Sequence, residues 1–77
     1  MEYLIVRIAG QPTVEADVLI NRHTNGKTGV LLTLGDPGWI FVSVNMSGAH
    51  EQKVEVKNTT PTHPRMVDIQ CGPATGA

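Results

Sequence analysis

Cysteine is nearly absent: Cys71 stands alone in a chain of 77 residues. No internal disulfide can form, and no cysteine cluster exists to hold a metal. A lone thiol fits a reducing cytosol better than the disulfide-dense scaffolds of small secreted domains. Aromatic residues are scarce too, with one Trp, one Tyr and one Phe. Charge of either sign is thin, at 17% of residues, and the formal net charge is -1. Phosphate binding needs a concentrated basic face. Here Arg7, Arg22, Lys27, Lys53, Lys57 and Arg65 are scattered, so they read as a solvated rim and nucleic acid is not the favoured partner. The carboxylates are not clustered either, which argues against an acidic mimic of nucleic acid. No apolar run approaches the roughly 20 residues that cross a bilayer. The opening Met1-Glu2-Tyr3-Leu4-Ile5-Val6-Arg7 lacks the basic n-region and long apolar core of a secretory signal. The expectation is no membrane partner and a cytoplasmic location. Repeats and low-complexity tracts are missing, and so is any convincing helical period.

What is present is β patterning. Hydrophobic residues make up 40% of the chain, which is globular rather than disordered, and the length predicts one small domain near the lower limit for a single core. The predicted fold is all-β: a compact antiparallel sheet of five or six strands, a small barrel or sandwich, with little or no helix. It covers residues 1–71, and 72–77 reads as a flexible tail. Strands are predicted over Glu2–Ala9, Thr13–Arg22, Thr28–Leu34, Trp39–Met46, Gln52–Lys57 and Met66–Cys71. Asn25-Gly26 is a hairpin signal, because both residues tolerate positive φ in a type I′ turn. Pro37-Gly38 is a second turn signal.

If both are two-residue turns a register follows, whereas a one-residue bulge at either turn, or a four-residue loop at Pro37-Gly38, would exchange sides within a strand. In the two-residue case the pairs are these. Ile20 then faces Leu31, Val18 faces Thr33, Leu31 faces Val44 and Thr33 faces Val42. One face collects Val14, Ala16, Val18, Ile20, Leu31, Ile40, Val42, Val44 and Met46, the predicted core. The other collects Leu19, Val30, Leu32, Leu34 and Phe41, with Trp39 at its end. The third strand is thus apolar on both sides, and something must cover the second side. Each exposed Leu or Phe forgoes about 1.5–3 kcal/mol of burial. Either another strand of the chain folds over the patch, or Trp39, Phe41, Leu32, Leu34 and Leu19 form a partner-binding surface, with a homodimer as one form of it. Aromatic anchors dominate such interfaces, and contiguous exposed apolar area marks them.

Signs of chemistry are weak. His23, His50 and His63 lie in predicted loops at spacings that match no metal-ligand pattern, so no metal and no cofactor are expected. Cys71 sits beside Val67 and Ile69 on an apolar strand face, where a thiol is a packing group rather than a nucleophile. Asp36 before Pro37 reads as a turn former. Gly26-Lys27-Thr28 lacks the rest of a phosphate loop and its following helix. No catalytic residue is nominated, and the chain is expected not to be an enzyme.

The segment Asn25-Gly26, Leu31-Leu32-Thr33, Gly35 and Val42-Ser43-Val44-Asn45-Met46 resembles a pattern in small β-proteins carried by bacteriophages and mobile elements. That pattern runs Asn-Gly, an apolar strand, a Gly turn, then Thr-Val-Asn-Leu. The resemblance implies an accessory protein acting in a bacterial host cytoplasm, of the kind that inhibits host defence, anti-CRISPR proteins among them, by occupying a surface of a larger complex. The expected function is therefore a non-enzymatic protein-binding module that blocks a host protein or complex sterically. A self-assembling virion protein and a small nucleic-acid-binding barrel are the alternatives.

Overall fold

The computed structural model describes residues 1–11 and 13–72. Seven strands form two sheets, β1 (Glu2–Ile8), β2 (Asp17–Ile20), β3 (His23–Lys27), β4 (Leu32–Leu34), β5 (Gly38–Val44), β6 (Gln52–Val56) and β7 (Arg65–Ile69). One sheet has the order β4-β1-β7 and the other β3-β2-β5-β6. The fold is all-β, as the alternating sequence predicts, and its two sheets do not close into a barrel. One pairing departs from the antiparallel expectation, since β1 and β7 run parallel.

Alternation explains the core. In β1 the side chains of Leu4, Val6 and Ile8 point inward and are fully buried. Val18 and Ile20 of β2, Val42 and Val44 of β5, Val54 and Val56 of β6, and Val67 and Ile69 of β7 complete one cluster shared by both sheets. Val14, Ala16, Ile40 and Met46 pack against its margin. Of the core predicted from the sequence, only Leu31 is misplaced: it stays exposed.

The predicted hairpins are corrected. Asn25 and Gly26 lie within β3, and the reversal falls at Asn21 and Arg22, whose φ values are 50° and 70°, the left-handed pair that a type I′ turn requires. Ile20 therefore pairs with His23, not Leu31. Asp17 pairs with Lys27 while Leu19 pairs with Thr24, so two residues of β3 oppose one of β2. Gly26, at φ 84°, is the left-handed residue of that bulge. The glycine does supply positive φ, but to a bulge rather than to a turn.

The segment predicted as a long third strand divides. The buried Thr28 hydroxyl accepts the Ala16 N–H at 3.0 Å and donates to the Val14 carbonyl at 3.1 Å. The next N–H, of Gly29, donates to the Val6 carbonyl of β1 at 2.8 Å. The chain thereby crosses from one sheet to the other before β4 begins. β4 then pairs with β1 through Leu32↔Leu4 and Leu34↔Glu2. The predicted pairings Val18 with Thr33, Leu31 with Val44 and Thr33 with Val42 fail for this reason. Val18 pairs with Val44 and Ile20 with Val42 instead.

Two further contacts tie the layers together. Glu2 is buried, and its Oε1 accepts the Thr59 N–H at 2.9 Å and the Thr59 hydroxyl at 2.6 Å. The Tyr3 N–H donates to that same hydroxyl at 2.7 Å, so the β6–β7 loop is latched to β1. Beyond β7, Cys71 bridges Ala49, and the Gly72 N–H donates to the Gly48 carbonyl at 2.9 Å. The rest of the predicted tail lies outside the described residues.

Candidate functional site

The predicted partner-binding residues separate into two groups. Leu32 and Leu34 are 6% and 9% exposed: β4 turns both toward β1 and the core, which removes them from any docking surface. Trp39 and Phe41 are 61% and 43% exposed. They alternate with the inward Ile40 and Val42 along β5, which places both on the outer face of the four-stranded sheet. Leu19 of β2 is half-buried and pairs with Ser43, so it lies diagonally beside Phe41 on the same face. Val30 and Leu31 are exposed on the crossing segment.

Sequence reasoning missed the charged border of this face. Across β6, Trp39 pairs with Glu55 and Phe41 with Lys53. The Lys53 Nζ lies 5.6 Å from the Trp39 ring centroid and 6.0 Å from that of Phe41, within cation–π range of both. On the far side, Lys27 Nζ is 2.7 Å from Asp17 Oδ1, and the hydrogen bond and charge of Asp17 raise the Lys27 pKa. The period-2 pattern of Gln52 to Lys57 carries the signal for Lys53 and Glu55: with Val54 and Val56 inward, both face outward.

The backbone under the patch is held by Asn21. Its N–H donates to the Phe41 carbonyl at 2.8 Å, and its Oδ1 accepts the Phe41 N–H at 3.0 Å. The same asparagine occupies the first left-handed turn position, which Asn tolerates. Turn and patch are thus fixed by one residue. The arrangement is an exposed aromatic centre bordered by charged side chains: Lys53 over the rings, Glu55 beside Trp39, and the Lys27–Asp17 pair on the far side.

Among the described residues there is no pocket, and no group of three His, Cys, Asp or Glu side chains is placed to hold a metal ion. His50 Nε2 donates to the Gly72 carbonyl at 2.6 Å, and His63 Nδ1 lies 3.2 Å from the Thr62 hydroxyl, so both have local structural partners. Cys71 is half-buried against the core margin. No helix of the described residues is long and apolar enough to cross a membrane. No protein-family model matches the chain, and the searches of curated proteins and of solved structures yield no significant relative.

Proposed function

We propose that this chain is a non-enzymatic protein-binding module. Its outer sheet face, centred on Trp39 and Phe41 and flanked by Leu19, docks on a host protein or complex and blocks it by occupying its surface. One observation carries this reading: the chain's single Trp and single Phe lie side by side in the open on one strand, β5. Burying either ring against a partner is worth about 1.5–3 kcal/mol, and aromatic anchors on fixed backbone bind with little loss of conformational entropy. The setting in a bacterial cytoplasm, and the kinship with phage-borne inhibitors of host defence, belong to the same proposal and rest on the Asn25–Met46 resemblance alone.

The test is affinity capture from bacterial lysate, identification of the stoichiometric partner, and measurement of its dissociation constant with purified proteins. Trp39→Ala and Phe41→Ala should each weaken that complex at least about tenfold, the loss of a hot-spot side chain, while leaving the fold intact. Undiminished affinity in the double variant refutes the assignment of this face.

A further inference from the structure

The second edge of the same sheet carries an independent message. Among the described residues β6 pairs as a strand only with β5. Its first residue, Gln52, donates from Nε2 to the Asp68 carbonyl at 2.5 Å, and residues 48–50 bond residues 70–72. The edge without a strand partner therefore runs from Lys53 onward. Which backbone groups point there follows from β5. The N–H and C=O of Phe41 both engage Asn21, and the Asn45 N–H donates to the Asp17 carbonyl. Odd residues of β5 therefore turn their backbone toward β2, and even ones toward β6. Bonded and non-bonded pairs alternate in an antiparallel ladder, so Ile40↔Val54 and Val42↔Gln52 carry the bonds between β5 and β6. Lys53 and Glu55 are left with N–H and C=O directed outward, a template for one more strand.

The side chains select that strand. The outer face of β6 carries Lys53 and Glu55, and Glu51 and Lys57 flank the strand immediately before and after it, so the string Glu51, Lys53, Glu55, Lys57 alternates strictly in sign. Read backwards, the same string inverts every charge. We propose that β6 pairs antiparallel with β6 of a second copy of this chain, about a two-fold axis at Val54, fusing two four-stranded sheets into one. In this register Lys53 of one copy faces Glu55 of the other, Glu51 faces Lys57, and the axis repeats both pairs. Lys53 and Glu55 are also the residues whose backbone groups face outward, so ion pairs and ladder hydrogen bonds coincide. Sliding the strands by two residues in either direction sets Lys against Lys and Glu against Glu. Parallel in-register pairing does the same. Sliding by four restores opposite charges but keeps only half of the pairs. The contact is isologous, as a two-fold dimer requires.

Within one chain Glu51 reaches Arg22 at 3.7 Å and Lys57 reaches Glu55 at 3.6 Å. These are long, solvent-exposed contacts that compete weakly. The Trp39–Phe41 patch stays uncovered in the dimer, and two copies of it lie on the same side of the joined sheet, one on each flank of the seam. The pairing does not depend on the protein-binding role proposed above, and it makes the patch bivalent.

Sedimentation equilibrium of the full chain, from about 10 μM to about 1 mM, reads the association directly. The wild-type chain is expected to show reversible monomer–dimer exchange. Lys53→Glu and Glu55→Lys, each shown to be folded by circular dichroism, should raise the dissociation constant at least about tenfold, because two symmetric contacts change sign in each. An equimolar mixture of these two variants should dimerise again, since positions 53 and 55 are then both acidic on one edge and both basic on the other, while the Glu51–Lys57 pairs stay as they were. Leu19→Ala, on β2 and so on the side of the patch away from β6, should leave dimerisation unchanged, which separates this inference from the role of the patch. A wild-type chain that stays monomeric throughout, or a mixture that fails to recover the dimer, overturns the proposal.

Discussion

Replacing Gly26 with Ala tests the bulge that redirects the middle of the chain. Two separate penalties meet at this residue. Its φ of 84° is left-handed, which costs a residue with a Cβ roughly 1–2 kcal/mol. A Cβ at Gly26 would also collide with Leu32 Cδ2, and Leu32 is a buried core residue, so overpacking adds about 1–3 kcal/mol. Against these stands a gain of about 0.4–1 kcal/mol from the stiffer unfolded chain. The sum is a loss of about 1–5 kcal/mol with a midpoint of about 3, a large share of the total for a domain of this size. Gly10 provides the control: its φ is 75°, and a Cβ there meets nothing within 4 Å. Gly10→Ala should therefore cost only about 1 kcal/mol, the left-handed penalty less the entropic gain. Urea unfolding followed by circular dichroism measures both. Leu32→Ala should cost about 2–5 kcal/mol alone but much less in the Gly26→Ala background, because the truncated side chain makes room for the new methyl. Equal losses at Gly10 and Gly26, or strict additivity with Leu32→Ala, would refute the packing of β3 against β4.

Three further outcomes are expected. Thr28→Val keeps the shape of the side chain but leaves the Ala16 N–H and Val14 carbonyl unpaired, so urea unfolding should show a loss of about 1–3 kcal/mol; a neutral variant would mean that the crossing segment is not clamped there. The Thr59 hydroxyl first, and then the Thr59 N–H, hold the Glu2 pKa below the usual glutamate range. Its stabilisation is thus complete above about pH 4.3 and is lost as pH falls through the lower folded-state value. Glu2→Gln should be less stable than wild type at neutral pH, and its stability should fall less between about pH 5 and pH 3; parallel acid profiles would contradict the latch. Trp39→Ala/Phe41→Ala should change unfolding free energy by less than about 1 kcal/mol, since both rings are exposed and surface substitutions are mild, and a loss comparable to that of Leu32→Ala would place the rings in the core.

Strand content was legible wherever one side of a strand faces water. Val54 and Val56 alternate with Lys53 and Glu55, and the prediction places that strand to within one residue. Trp39 to Met46 is read nearly as well, because Ile40, Val42 and Val44 keep a strict period of two. Register was not legible. Asn25-Gly26 has the local chemistry of a turn, yet Asn21-Arg22 turns the chain four residues earlier although Arg is a poor left-handed residue. Asn21 is favoured there by a tertiary gain invisible in local sequence, its double hydrogen bond to Phe41. The apparent two-faced strand from Thr28 to Leu34 likewise mixed two environments. Val30 and Leu31 belong to a crossing segment, and Leu32 and Leu34 to a short edge strand whose inward face is set by β1. The candidate surface was legible at Trp39, Phe41 and Leu19, which share the outer face of one sheet. It was misread at Leu32 and Leu34 because the assumed hairpin put β4 beside β5.

Trp39 is the chain's single tryptophan, so its fluorescence reports on the patch without labels. The account predicts water-like, red-shifted emission from the native protein, with acrylamide quenching that barely increases on unfolding in urea. Blue-shifted native emission, shielded from acrylamide until the chain unfolds, would contradict it.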